Sequence, residues 1–161
     1  MRLVYQFKYH HAVYLAAPLA ELLNELWEKT PRLNAHRDWV LVPVPVTISK
    51  LYTRGFNQAE ELARALSRLR KLRTMNLLVR RETGVLSQTR LTKSARRLNA
   101  MRAYRAKPVG WFRFRKIYPP YIVLVDDVFT TGSTARACAT QLRKLPGVRE
   151  VVSLSLVRIG S

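Results

Sequence analysis

Two adjacent carboxylates, Asp126 and Asp127, lie just before a run of small, mostly hydroxylated residues. The run consists of Thr130, Thr131, Gly132, Ser133 and Thr134, and an Ala-rich stretch of helical composition follows it. Backbone N–H groups at the start of a helix bind anions, and the helix dipole favours negative charge there. Glycine lets a phosphate approach the backbone closely, and the hydroxyls add donors. The pattern therefore predicts a phosphate site at residues 130–134.

The two carboxylates add a second kind of binding group, because on their own they would repel a bare phosphate. Carboxylates accept hydrogen bonds from sugar hydroxyls, and hard oxygen ligands suit Mg2+. A ligand with a phosphate, vicinal hydroxyls and a divalent cation uses both halves of the site, and a phosphorylated ribose fits that description. The same residues also fit an ordinary strand–loop–helix turn that happens to be acidic.

Strands and helices alternate along the chain. Apolar residues at three- and four-residue steps predict helices near residues 15–28, 57–72 and 135–145. Short apolar runs predict strands at residues 38–45, 76–80, 122–125 and 148–158. This order indicates an α/β fold, a mainly parallel twisted sheet flanked by helices. Ligands of such sheets bind at the carboxyl ends of the strands, where Asp126 is expected.

The connection after the first strand is a second candidate anion site. Lys50 and Arg54 are predicted to lie in its loop, and Asn57 is the predicted N-cap of the next helix. Basic groups in a strand–loop–helix unit can bind an anion, although a plain connection explains the segment equally well.

Length and composition indicate one domain over residues 1–161. No apolar run reaches the length of a membrane span and no signal-peptide pattern is present, so a cytoplasmic location is expected. The single cysteine, Cys138, excludes an internal disulfide and a cysteine-based zinc site. It lies in the apolar register of a helix, which predicts a buried, inert thiol.

Charge is the unusual feature of the composition. The chain has 29 Lys and Arg against 10 Asp and Glu, a net charge of +19, and most of the excess lies within residues 50–116. Such a block attracts polyanions and predicts affinity for nucleic acid. Scattered arginines that serve solubility are the alternative.

The basic segment has two parts with different patterns. Residues 81–105 are polar and basic between two predicted strands, which favours a mobile lid that closes over a charged ligand. Residues 107–118 alternate aromatic and basic side chains, including Arg113 and Arg115, which favours an extended hairpin arm. Aromatic and arginine side chains together bind single-stranded nucleic acid, although inward-packed aromatics explain the alternation as well.

Residues 121–135, YIVLVDDVFTTGSTA, resemble the phosphoribosyl-pyrophosphate (PRPP) signature of type I phosphoribosyltransferases. The resemblance implies a type I phosphoribosyltransferase fold that binds PRPP with Mg2+. It implies catalytic and ribose-binding roles for Asp126 and Asp127, which would also contact the Mg2+. Val128 and residues 130–134 would complete the PRPP site around the 5′-phosphate.

Three further blocks resemble the ComF/GntX family of competence-associated, phosphoribosyltransferase-like proteins. One is VPVPVTISKLYTRGFNQAEEL at residues 42–62, and another contains Gln88, Leu91, Arg96, Asn99 and Ala103-Tyr104. The third is residues 1–19, with Lys8, which resemble the family's lead-in to the core. The family resemblance implies a pyrophosphate loop at Val46, Thr47, Lys50 and Arg54, and a lid that contains Gln88, Arg96, Arg97 and Asn99. Many family members carry a zinc module of paired cysteines, which this chain lacks, so no zinc is expected.

Two hypotheses about function follow from the resemblance. The first is an Mg-dependent phosphoribosyltransferase that transfers to an acceptor the motifs do not identify. The second is a competence protein that binds single-stranded DNA and keeps the PRPP pocket as a sensor, with helicases or DNA-processing factors as partners. Its candidate nucleic-acid contacts are Arg96, Arg97, Arg102, Arg113 and Arg115.

Overall fold

The computed structural model describes residues 6–7, 12–81, 103–107 and 118–158. Within them, the main sheet contains β1 (Trp39–Pro43), β2 (Arg73–Thr74), β5 (Tyr121–Phe129) and β6 (Glu150–Arg158). These strands are all parallel and lie in the order β2-β1-β5-β6. A separate antiparallel pair is formed by β3 (Leu78–Arg80) and β4 (Tyr104–Ala106). The helices are α1 (Ala16–Glu28, after a 3-10 turn at Val13–Leu15), α2 (Pro31–Asn34), α3 (Ile48–Arg54), α4 (Gln58–Arg70) and α5 (Ser133–Leu142).

Both faces of the main sheet are covered. Along β5, Val123 and Val125 pack with α1 and α4 in one core, while Ile122 and Leu124 pack with α5 and the β3–β4 pair in the other. Successive side chains of a strand point to opposite faces, so a run of apolar residues is what a strand buried on both faces requires. The α/β class predicted from the sequence, a parallel sheet flanked by helices, is therefore confirmed.

The start of α4 is fixed to the end of β1 by one side chain. Asn57 Oδ1 accepts a hydrogen bond from the Ala59 N–H at 3.1 Å, and Asn57 Nδ2 donates to the Val44 carbonyl oxygen at 3.1 Å. Asn57 is thus the N-cap that the sequence predicted. The second bond holds the N-terminus of α4 beside the carboxyl end of β1.

The strand predicted at residues 76–80 is confirmed at Leu78–Arg80, but it lies outside the main sheet. The edge strand of the main sheet is Arg73–Thr74, and the Met75 N–H still donates to the Leu41 carbonyl oxygen at 2.9 Å. The chain then leaves the sheet, and Leu78–Arg80 pairs antiparallel with Tyr104–Ala106. Because the two paired strands are more than twenty residues apart in the chain, the sequence near residues 76–80 does not show which strand they pair with.

Two other boundaries also differ from the sequence prediction. The strand predicted at residues 122–125 continues to Phe129, because β6 goes on pairing with it as far as Arg158. Lys50 and Arg54, predicted in a loop, lie in α3, which begins after the N-cap Thr47.

Among the residues that the structure describes, none of the helices has the length and apolar character needed to cross a membrane.

Candidate functional site

A step between two neighbouring strands creates the site. β1 pairs with β5 only up to Pro43 and Val125, and the Val44 N–H makes a final bond to the Val125 carbonyl oxygen at 2.9 Å. Beyond that point β5 is paired on its β6 side alone. Asp126 and Asp127 are the first residues past the step, so the chain leaving β1 opens a cavity beside them.

The cavity has a volume of about 220 Å³ and lies at the carboxyl ends of β1 and β5. This is the end of a parallel sheet at which ligands bind. From the β5–α5 side it is lined by Asp126, Asp127, Val128, Thr130 and Thr134. From the opposite side it is lined by Val44, Pro45, Val46, Lys50, Arg54, Asn57, Gln58, Ala59, Arg80 and Tyr104.

Both carboxylates line the cavity and both are half-buried. Asp126 Oδ1 accepts a hydrogen bond from the Asp127 N–H at 2.9 Å, which fixes the first carboxylate against the backbone. The pleat continues the alternation of β5, so Asp126 points toward the face that carries Tyr104 and Asp127 toward the face that carries α4. The two carboxylates therefore lie on opposite faces of β5 next to the cavity.

The hydroxylated run divides into cavity wall and turn. Thr130 and Thr134 line the cavity. Thr131, Gly132 and Ser133 lead into α5 and are not among the residues that line the cavity. Within this turn, Thr131 Oγ1 donates a hydrogen bond to Ser133 Oγ at 3.1 Å and accepts one from the Ser133 N–H at 3.4 Å. Gly132, the N-cap of α5, has φ +70° and makes no side-chain cap, so the helix begins with backbone donors next to the cavity.

The basic wall is carried by α3. Thr47 Oγ1 accepts from the Lys50 N–H at 3.3 Å, and Gly55 ends the helix with φ +79°. Lys50 and Arg54 are four residues apart on this helix, so they share one face, and both line the cavity with Val46. Thr47 itself is placed as a helix cap rather than in the cavity wall.

Sequence reasoning gave no site role to four polar residues of the wall: Asn57, Gln58, Arg80 and Tyr104. Gln58 lies in the RGFNQ block and was quoted there without a role. Arg80 and Tyr104 are paired across β3 and β4, and the Arg80 guanidinium lies 5.3 Å from the centre of the Tyr104 ring. Only the antiparallel pairing brings these two residues to the cavity.

Two ionisable side chains at or near the cavity, Tyr104 and Cys138, have raised pKa values. Burial raises the pKa of Tyr104, and the negative charge of Asp126 adds to the rise, while Arg80 and a hydrogen bond with Thr134 oppose it. Burial, again reinforced by Asp126, raises the pKa of the Cys138 thiol to about 12. Tyr104 therefore presents a neutral hydroxyl to the cavity. Cys138 is a free, buried thiol, as the sequence predicted.

The lid and arm residues Gln88, Arg96, Arg97, Asn99, Arg102, Arg113 and Arg115 lie outside the described residues, so their roles stay predictions. The chain on either side of the lid segment is described. The Arg81 N–H donates to the Ala103 carbonyl oxygen at 2.8 Å, directly after Arg80 and before Tyr104. The described residues that flank this segment, Arg81 and Ala103, therefore lie together next to the cavity wall. Within the described residues, no three His, Cys, Asp or Glu side chains form a metal-binding group.

The chain is similar in sequence to three curated proteins from different bacteria. It is 32% identical to competence protein F of Haemophilus influenzae over 158 residues, which is 97% of this chain and 66% of that protein. It is 28% identical to the DNA utilization protein YhgH of Escherichia coli over 87% of this chain and 59% of the relative. It is 26% identical to the competence protein ComFC of Streptococcus pneumoniae over 95% of this chain and 60% of the relative.

The chain belongs to the ComF family. This confirms the family resemblance seen in the sequence blocks. The chain spans between 59 and 66% of the length of these ComF relatives. No protein-family model matches it. A solved structure described as the allosteric regulatory enzyme of purine biosynthesis is similar at TM-score 0.47 and 19% identity, over 88% of this chain and 26% of that one.

Proposed function

We propose that this ComF-family chain binds PRPP and acts as an Mg-dependent phosphoribosyltransferase in the use of DNA taken up during competence. One observation carries the proposal: a single cavity joins two carboxylates to two threonine hydroxyls on one side and to basic side chains on the other. PRPP has the matching three parts, namely ribose hydroxyls, a 5′-phosphate and a diphosphate. The names of the relatives, competence proteins and a DNA utilization protein, support the proposed role in the use of DNA taken up during competence.

Each part of PRPP has a suitable partner in the cavity. Asp126 and Asp127 accept hydrogen bonds from the ribose hydroxyls. Thr130, Thr134 and the N-terminus of α5 receive the 5′-phosphate, because hydroxyls and helix-start N–H groups donate to anions. Lys50 and Arg54 face the diphosphate from α3, where their charges offset its own.

The donor set of the cavity also fits Mg2+. Asp126 and Asp127 supply hard carboxylate oxygens at the open end of β5, and Mg2+ is commonly bound by one or two carboxylates plus substrate phosphate oxygens. Mg2+ held by these two side chains and PRPP would neutralise charge on the diphosphate.

Side chains of opposite charge would assist the transfer, with carboxylates beside the sugar carbon and basic groups beside the leaving diphosphate oxygen. An acceptor nucleophile attacks the anomeric carbon, the bond from that carbon to the diphosphate oxygen breaks, and pyrophosphate leaves. The Asp126 and Asp127 carboxylates stabilise the positive charge that develops on the sugar. Lys50 and Arg54 stabilise the leaving oxygen. We further propose that the lid implied by the family resemblance, which contains Gln88, Arg96, Arg97 and Asn99, covers the ligand and excludes water.

A calorimetric titration with PRPP, with and without Mg2+, tests the proposal. We expect saturable binding of one PRPP per chain that weakens when Mg2+ is chelated, followed by pyrophosphate release when a panel of acceptors is added. Binding without release by any acceptor would favour a sensor. Absence of PRPP binding at any Mg2+ concentration would overturn the proposal.

Binding of single-stranded DNA is a second candidate function, favoured by the net charge of +19 and its concentration in residues 50–116. This function is compatible with PRPP binding, since a positive field and a local pocket act on different ligands. DNA helicases or DNA-processing factors are the proposed protein partners in that setting.

Replacement of Arg96, Arg97 and Arg102 by Gln is expected to weaken binding of single-stranded DNA and to flatten its salt dependence. Each lost phosphate contact removes roughly 0.7 from the slope of log K against log salt, so three contacts remove about 2. The measurement is fluorescence anisotropy of a labelled oligonucleotide at several salt concentrations. The control variant replaces three other exposed arginines, Arg32, Arg64 and Arg143, by Gln, so it loses the same number of positive charges. An equal slope change in both variants would mean a diffuse field rather than these contacts.

A further inference from the structure

Gln58 is buried in the cavity wall with an unused donor. The residue as a whole is 2% exposed. Within the described part of the chain, the buried side-chain polar atoms without a hydrogen-bond partner are Gln58 Nε2 and Thr74 Oγ1. Of these two residues, only Gln58 lines the cavity. A buried donor without a partner is costly to the folded state, so its retention needs an explanation.

The orientation of the Gln58 amide is set by Arg54. The Arg54 guanidinium donates to Gln58 Oε1 at 3.4 Å, which identifies the acceptor end of the amide. The two N–H groups on the other end are then the unused ones. Arg54 thus contributes a charge to the cavity and also orients a neutral donor.

The surroundings of Gln58 indicate the sign of the missing partner. Gln58 is the first residue of α4, and the helix start is held rigidly because Asn57 bonds both to Val44 and to Ala59. The positive end of the helix dipole, Lys50 and Arg54 lie on the same side of the cavity. The missing partner is therefore an anionic oxygen rather than a donor or an apolar group.

We propose that Gln58 Nε2 donates a hydrogen bond to a diphosphate oxygen of the ligand, which makes Gln58 a binding residue of the leaving group. This inference rests on the proposed PRPP binding. The 5′-phosphate is assigned to Thr130 and Thr134 across the cavity, whereas Gln58 stands beside Lys50 and Arg54. A neutral buried donor also adds directionality that flexible cationic side chains lack, so it selects the orientation of the diphosphate.

Gln58→Met tests the inference, because Met has a similar length and no donor. By calorimetry we expect the affinity for pyrophosphate with Mg2+, and for PRPP with Mg2+, to fall about tenfold, the usual effect of losing a buried hydrogen bond to a charged group. The affinity for ribose 5-phosphate should not change. The thermal midpoint of the unliganded chain should stay the same or rise, since an unused polar group has been removed. A merely structural glutamine would give the opposite sign in that last measurement.

Two further variants sharpen the test. Gln141→Met, the same change on α5 away from the cavity lining, should alter none of these affinities. Gln58→Glu keeps an oxygen for Arg54 but places a carboxylate against the diphosphate, so its affinity for pyrophosphate should fall more than that of Gln58→Met.

The outcomes separate this inference from the proposed function. A wild-type chain that does not bind PRPP would overturn the proposed function. A wild-type chain that binds PRPP, with equal pyrophosphate affinity in Gln58→Met, would overturn the role of Gln58 alone. If Gln58→Met lowered the affinities for pyrophosphate and for ribose 5-phosphate equally, the role of Gln58 would also be overturned, because the substitution would then affect the whole cavity rather than the diphosphate contact.

Discussion

The double variant Asp126→Asn, Asp127→Asn is expected to lose PRPP binding almost completely. A hydrogen bond to a charged group contributes about 1.5–3 kcal/mol, so the loss of both charges should weaken binding at least a hundredfold. Asn keeps the size of Asp, and its oxygen can still accept the 2.9 Å bond from the backbone N–H of residue 127. The change therefore removes charge and Mg2+ affinity without disturbing the end of β5. Calorimetry with PRPP and Mg2+ provides the measurement.

Asp38 offers a matched control for this charge change. It is exposed and directly precedes β1, so it lies at the amino end of the sheet, opposite the cavity. Asp38→Asn should leave the PRPP affinity unchanged, and each single variant at Asp126 or Asp127 should weaken it. If the double variant bound PRPP as tightly as Asp38→Asn, the two carboxylates would not be ligand contacts.

The sequence predicted those features of the site that are contiguous in the chain. Asp126, Asp127 and the following hydroxylated run come from one strand–loop–helix unit, so their types and spacing already fix their neighbourhood. The cap at Asn57 is equally local, because its bond to Ala59 spans two residues. The alternation of elements was sufficient to predict the sheet class, and the candidate cavity lies at the carboxyl ends of the strands, where the sequence predicted a site.

Features that depend on distant pairing could not be predicted in the same way. Tyr104 reaches the cavity only because β4 pairs with β3, and neither strand has a hydrophobic pattern long enough to reveal the pairing. The role of Gln58 is visible only as an unused donor, which is a property of its burial and not of its sequence block. The α3 helix was missed because it is only seven residues long: Ile48, Leu51 and Tyr52 are spaced three and four residues apart, but so short a segment gives a weak periodic signal, and these side chains are exposed.

Gly132→Ala is expected to reduce both stability and PRPP affinity. Gly132 has φ +70°, and a Cβ atom there would lie 2.6 Å from Cζ of Phe129. The left-handed backbone costs a non-glycine residue about 1–2 kcal/mol, and displacement of the partly buried Phe129 ring adds to that cost. Because Gly132 is the N-cap of α5, the displacement also shifts Thr130 and Thr134 relative to the carboxylates. Chemical denaturation and the PRPP titration measure the two effects.

Gly147→Ala separates backbone strain from the clash. Gly147 has φ +88°, but the nearest atom to its added Cβ would be the Tyr118 carbonyl oxygen at 3.8 Å, so the strain is present without the overlap. The free energy of unfolding should therefore fall less in Gly147→Ala than in Gly132→Ala, with PRPP affinity unchanged. Adding Phe129→Leu to Gly132→Ala should recover part of the lost affinity, because the smaller side chain makes room for the new methyl group. Equal destabilisation by both glycine variants, with no recovery, would mean that the Phe129 ring moves aside freely and that the turn before α5 tolerates a side chain at Gly132.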